Sequence, residues 1–518
     1  MNKENINFKN DYLIILSLII FSLLISLSYH YLQYGIDGGL VLANQIKYPD
    51  NNSPMLYYFL NSWTLIHQIS FILIKIGLSV EIISKMFIFI STISFTFGVL
   101  LFSYSITKIK SLSFLISITA ILLGKNFGDT DYPSLIFSEH TYGMISLAIF
   151  TLILGLIANK NFLFASIFLV VSIAIHPLVG AWTIIISFIS FYFLRNFEVN
   201  RKELLTGSIL GFILILISFI FFYYNSIEKI DFDSDLFQIY LNDWDGHRVV
   251  SQKIHSLYLL KTFVLTIFCF IFFKNNSLEN KKFNSHILIL LISLILSSLL
   301  YLYFKFLPNY IPEFIKIIMP SRFIMLHTFL GWPLIISFIF LFFQNKYKKE
   351  KVIKIFSIFL ILIILQNHKK ILALSDNFIE NFETHELSKV IEYVKNDDFN
   401  GYILTSSNLT SFIFKKTKKP ILLHTDSMDF IPYHPYLVNN FFYILQNLYN
   451  IKNFLPPEAN NPSLPDYYIK TNFEKYTQED WIKKQSMFNL RLIIVPSDWN
   501  LNLDLIMEDK FFKLYKIL

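Results

Sequence analysis

The residues best suited to chemistry lie just beyond apolar runs. Asp37 stands in Tyr34-Gly-Ile-Asp-Gly-Gly39. A carboxylate there, partly desolvated at a membrane surface, is tuned as a general base close to a lipid-borne substrate. The plainer reading is a helix end, with glycine supplying a left-handed cap. Asp129-Thr130-Asp131 lies in a loop bounded by Gly124 and Pro133. Carboxylates at i and i+2 chelate one hard divalent cation, magnesium or manganese, or hold a sugar hydroxyl; a solvated turn uses the same residues. Glu139-His140 follows at the mouth of a later apolar run, where His140 either contacts a phosphate or simply opens the helix. Pro320-Ser321-Arg322 precedes another run. An arginine entering a membrane segment is costly and often functional. Here it either clamps a lipid phosphate or pyrophosphate as the leaving group departs, or snorkels to headgroups. Lys305 and Lys316 are weaker candidates for the same task. His176-Pro177 reads most simply as a helix end. Trp244, between Asp243 and Asp245 in an acid-rich surface loop over 231–247, is placed to stack on a sugar ring.

Composition narrows what can position these groups. The 518 residues are 54% hydrophobic and 16% charged, against about 25% charged in soluble chains, so a soluble enzyme is disfavoured. The 56 Phe and 29 Tyr exclude a disordered chain. A single cysteine, Cys269, excludes a disulfide framework and a cysteine-based zinc site. The net charge of +7 sits in short basic clusters between apolar runs. That pattern sets membrane orientation and gives no phosphate-binding stripe, so no nucleic-acid partner is expected. There is no Walker loop, no G-x-G-x-x-G after a strand and no H-E-x-x-H. Nucleotide-driven transport and zincin-type proteolysis both lose support.

A spanning helix needs about 20 apolar residues. Candidates are 12–32, 80–106, 141–158, 178–194, 204–224, 254–273, 286–304, 323–343 and 352–365, with 112–124 and 162–176 shorter but strongly apolar. The first run reads as a retained signal anchor. Segment 55–76 is ambiguous, because Asn61, Thr64, Gln68 and Lys75 draw a polar stripe along one helical face. The basic residues arbitrate. If 55–76 is an interfacial helix, the clusters at Lys108/Lys110, Lys160, Arg195/Arg201/Lys202, Lys274/Lys281/Lys282 and Lys346/Lys348/Lys349/Lys351 all fall on the cytoplasmic side.

The expected fold is therefore a polytopic α-helical membrane protein of about eleven spans. It has a transmembrane domain over 1–366, a long first outer loop over 33–79, and a C-terminal extracytoplasmic α/β domain over 367–518. The expected location is the plasma membrane, with the N-terminus cytoplasmic. In the tail the pattern predicts helices over 385–395, 409–416, 436–449 and 478–487. Strands are predicted over 402–405, 421–424, 492–496 and 512–517, with a proline-rich loop over 455–465.

Taken together, these features resemble the GT-C superfamily of integral membrane glycosyltransferases. The resemblance rests on Asp37 after the first span, the long first outer loop with its interfacial helix, and Asp129-Thr130-Asp131 in the second outer loop. Glu313 in a later outer loop, Arg322 in the following span and the outward α/β tail complete it. In oligosaccharyltransferase catalytic subunits, members of this class, acids of the first, second and a late outer loop coordinate a metal and the acceptor. By that resemblance Asp37, Asp129, Asp131 and Glu313 take those duties. The first loop has one acid in place of a D-x-D pair, and Ser497-Asp498-Trp499 does not match the W-W-D-x-G motif. A lipid or envelope-glycan acceptor is thus expected in place of a protein. The implied donor is a polyprenyl-phosphate sugar drawn from the bilayer. Asp37 deprotonates the acceptor hydroxyl, the anomeric centre inverts, and Arg322 stabilises the departing phosphate, with a divalent cation on Asp129 and Asp131 as a further aid. The rival readings are a polysaccharide or lipid flippase or other transporter, and a non-catalytic envelope protein. Transport leaves a folded tail of about 150 residues unexplained and usually needs ionisable residues mid-span.

Overall fold

Long apolar runs satisfy their backbone polar groups only by folding on themselves, which in hydrocarbon means helices. A computed structural model describes residues 11–28, 35–123, 141–193, 200–228, 233–245, 260–271, 285–307, 310–311, 323, 328–386, 388–426 and 428–517. The first helices are α1 (Tyr12–Ser28), α2 (Ile36–Leu42), α3 (Pro54–Asn61) and α4 (Leu65–Lys75). Next come α5 (Val80–Thr107), α6 (Lys110–Leu123), α7 (Thr141–Ala158), α8 (Phe162–Ile175), α9 (Pro177–Phe193) and α10 (Arg201–Asn225). The short α11 (Ser234–Ile239) runs into a π-helical turn over Tyr240–Trp244. Then follow α12 (Leu260–Ile271), α13 (Ser285–Phe306), α14 (Thr328–Lys346) and α15 (Lys349–Glu386). Each of the eleven apolar runs picked out in the sequence coincides with one of these helices. Among the described residues, α5, α10 and α13 are long and apolar enough to cross a membrane.

The chain divides into two compact units. The first comprises Met1–Gln33, Glu81–Phe219 and Val250–Asn377. Its helices approach closely where side chains are small. A Cβ on Gly98 of α5 would collide with the backbone of Thr151 and Leu152 in α7, and one on Gly207 of α10 with Ser166 of α8. Interhelical hydrogen bonds tie the same unit. Ser105 and His286 share one of 2.7 Å, and the Trp332 indole donates to Thr119 at 3.0 Å. His176 is extended and Pro177 begins α9, so the His-Pro pair separates two helices.

The second unit comprises Tyr34–Val80, Ile220–Val249 and Phe378–Leu518. Segment 55–76 is not one helix. Residues 62–64 break it, and Thr64 caps α4 by accepting from the Ile66 amide. At 11 residues, α4 is about 16 Å long, about half of what a span requires. The polar stripe divides, for Lys75 is exposed. Asn61, Thr64 and Gln68 are buried, while Ile69, Ile72 and Ile76 point outward. Three polar residues of the stripe thus pack inside the unit, and the outward apolar face is of the kind an interfacial helix lays on a bilayer.

The C-terminal part adds α16 (Lys389–Asn396), α17 (Thr410–Thr417), α18 (Val438–Asn447), α19 (Asp466–Phe473) and α20 (Gln478–Phe488). Its four strands are β1 (Tyr402–Thr405), β2 (Leu490–Pro496), β3 (Asp504–Glu508) and β4 (Phe512–Lys516), in the order β1-β2-β4-β3. β1 runs parallel to β2; the other pairs are antiparallel. This is a small mixed sheet packed by helices, as the alternating pattern predicts. The strand predicted over 421–424 shrinks to one parallel bridge, Ile403 with Ile421. The next carbonyl, Leu422, is taken by the Ser53 hydroxyl at 2.7 Å, so the ladder stops there. The pattern also misses α19 and β3. Most of α19 is polar, and β3 is a largely exposed edge strand, so neither shows a clear apolar period.

α20 begins with a reciprocal capping box between Thr477 and Asp480. Thr477→Ala is expected to cost about 1 kcal/mol, lowering the thermal midpoint of the purified protein by roughly 1 °C. An unchanged midpoint in calorimetry would show that this cap carries no stability.

Candidate functional site

Asp37 is the second residue of α2, in its first turn, because the segment predicted to be a helix end is itself the start of a short helix. Its two glycines serve close approach rather than a left-handed cap. Among described glycines, only Gly77 and Gly401 have positive φ. A Cβ on Gly38 would collide with the His67 imidazole, and one on Gly39 with the Cβ of Ser70. The pair of bare backbone positions lets α4 seat against α2 and fixes the helix that carries the carboxylate.

The partner comes from α17. Ser411 and Lys415 are one turn apart on the same face of that helix. The Lys415 Nζ lies 3.5 Å from the Asp37 Oδ1, and both side chains are sealed, 2% and 3% exposed. One turn back, the Ser411 hydroxyl donates to Asp426 Oδ2 at 2.6 Å. The His424 ring packs edge-on against Phe414 at 4.7 Å. On the first-loop side, Tyr48 packs against Tyr402, whose hydroxyl donates to Asp50 Oδ1 at 2.7 Å. Asp50 is thereby used structurally.

These contacts set the electrostatics. Burial pushes the Asp37 carboxyl up to about 7; the Lys415 charge opposes that shift and the Asp426 charge adds to it. Burial likewise raises Asp426, against the pull of the Ser411 hydrogen bond and Lys415. Burial, and then the Lys415 charge, lower His424 to about 3. His67 is lowered to about 4, again by burial. Both imidazoles are therefore neutral at pH 7. Burial, followed by the Asp37 charge, lifts the Tyr48 phenol well above its ordinary range. The result is a closed pocket of polarity in which one carboxyl changes protonation near neutral pH. Such a group can take a proton from a hydroxyl without being permanently ionised.

Of the residues singled out in the sequence, the structure places Asp37 at this centre. Asp129, Asp131, His140, Glu313 and Arg322 lie outside the described residues, as do Glu139 and Lys316. Lys305 sits exposed in the last turn of α13. Trp244 corrects the sequence reading. It is fully buried, donates from its indole to Phe454 O at 2.7 Å and packs on Phe441 and Phe442, so it is core and offers no face to a sugar. Asp245 beside it is buried too, whereas Asp233 and Asp235 are exposed as expected of a surface segment. Among the described residues no group of three or more His, Cys, Asp or Glu is placed to hold a metal.

Lys415, Asp426 and His424 were missed by sequence reasoning. Lys415-Lys416 at the end of a short helix looks like an ordinary complement to the helix dipole. The one available signal is that Lys415 lies i+4 from Ser411, inside a run otherwise made of core residues. Compared with known proteins, the sequence matches no family model and no curated protein.

Proposed function

We propose that the protein is a membrane glycosyltransferase of the GT-C type. It moves a sugar from a polyprenyl-phosphate donor to a lipid or envelope-glycan acceptor at the outer face of the plasma membrane. The observation that carries this reading is the state of Asp37, a buried carboxyl on α2 poised near pH 7 opposite Lys415. Asp37 takes the proton of an acceptor hydroxyl as that oxygen bonds to the anomeric carbon from the face opposite the phosphate. The bond from that carbon to the phosphate oxygen breaks, its electron pair leaves with polyprenyl phosphate, and the configuration inverts. Arg322 would neutralise the departing phosphate. Asp129 and Asp131, the expected ligands of a divalent cation, lie outside the described residues, as does Arg322. Because Asp37 is 2% exposed, the acceptor reaches it only after the cluster opens.

That same burial favours a second reading, a non-catalytic envelope protein in which the Asp37–Lys415 pair is purely structural. One experiment separates these readings from transport: proteoliposomes loaded with a radiolabelled polyprenyl-phosphate sugar and a lipid-extract acceptor. Label appearing on the acceptor with inverted anomeric configuration is the expected result. Label crossing the bilayer without a new glycosidic bond would make the protein a transporter, and neither event would leave it non-catalytic.

A further inference from the structure

We propose that Lys415 is the positioning residue for Asp37, and that Asp37, Lys415 and Asp426 form one cluster holding a single exchangeable proton. The geometry supplies two carboxyls and one ammonium, with Asp37 and Lys415 sealed and Asp426 part-buried beside them. Lys415 Nζ is 3.5 Å from Asp37 Oδ1, and Asp426 is held on the same face of α17 through Ser411 at 2.6 Å. With both carboxyls ionised the cluster keeps one uncompensated negative charge, which a sealed site does not tolerate. Among the described residues, the histidines and tyrosine around it add no positive charge. His67 from α4 and His424 beside Phe414 are neutral, and Tyr48 from the first loop holds its proton. The cluster therefore takes up one proton, shared between Asp37 and Asp426, and Lys415 sets on which side of neutrality Asp37 releases it. It also joins segments almost 380 positions apart in the chain, so the protonation of Asp37 reports whether the first-loop helices and α17 are together.

The kinetic readout of this proposal rests on Asp37 being the base; the spectroscopic one does not. The full chain, in nanodiscs and labelled with carboxyl-¹³C aspartate, is titrated by infrared difference spectroscopy. The Asp37 band is the one lost in Asp37→Asn. Lys415→Met is expected to move its midpoint up by about one pH unit or more, Lys415→Arg to restore it, and Asp426→Asn to move it down. Should Lys415→Met fail to fold, Asp426→Asn alone decides. An unmoved midpoint in the variants that fold overturns the proposal. In the transfer assay below the midpoint, Lys415→Met slows the reaction about tenfold if its midpoint lies one pH unit higher. Displaced midpoints in a protein that transfers no sugar keep the cluster and remove the transferase reading. Sugar transfer with unmoved midpoints does the reverse.

Discussion

Asp37→Asn is expected to lower sugar transfer by roughly 10²–10⁴-fold, the usual contribution of a positioned general base, while leaving the protein folded. The amide mimics the protonated carboxyl, which is the form Asp37 already holds below about pH 7. Activity of the native chain should rise with pH through that value, and Asp37→Asn should abolish the rise. Stability runs the other way. A carboxyl raised in the fold from its ordinary 3.8 to about 7 stabilises the folded chain fully below the lower value, and that contribution fades as pH climbs through the upper one. The swing is about 4 kcal/mol, so relative to Asp37→Asn the native protein should lose stability between pH 4 and about 8. Chemical denaturation at several pH values measures this. Two parallel curves would mean that Asp37 does not titrate in that window, and full transfer activity in Asp37→Asn would remove it as the base.

Gly39→Val should be nearly as damaging without touching any charged group. Its new Cβ falls on Ser70, within 3.0 Å of the Phe71 amide nitrogen, so a rotamer change cannot relieve the clash and α4 must move off α2. Overpacking of this kind costs about 1–3 kcal/mol or more. A displacement of about 1 Å at the base is expected to cost on the order of 10²-fold in rate. Gly77→Ala is the contrast. Nothing lies within 4 Å of the added carbon, and the cost is only the strain of its φ of +92°, roughly 1 kcal/mol. If Gly39→Val retains native melting and transfer rate, the α2–α4 contact does not position Asp37.

Much of this architecture is legible along the chain. Each of the eleven apolar runs read as candidate spans contains a helix. The short apolar runs at Tyr402–Thr405 and in Leu490–Pro496 emerge as neighbouring parallel strands. Local pattern suffices there because backbone hydrogen bonding and burial act over a few residues at a time. The polar stripe through Asn61, Thr64 and Gln68 was visible too, but not the burial of those three residues, since such a stripe reads the same whether it meets water or a protein interior. Trp244 failed for the same reason: flanking aspartates suggested a surface, and only packing against Phe441 and Phe442 decided otherwise.

By itself, then, the sequence determined the long apolar helices, the small α/β element and the candidacy of Asp37, all properties of local composition and period. Only the tertiary structure decided that Asp37 meets Lys415 and Asp426, because an ion pair between residues hundreds of positions apart leaves no periodic trace in either segment. The same long-range burial raises the carboxyl to about 7, since the desolvation that does so exists only once α2 and α17 have closed over it.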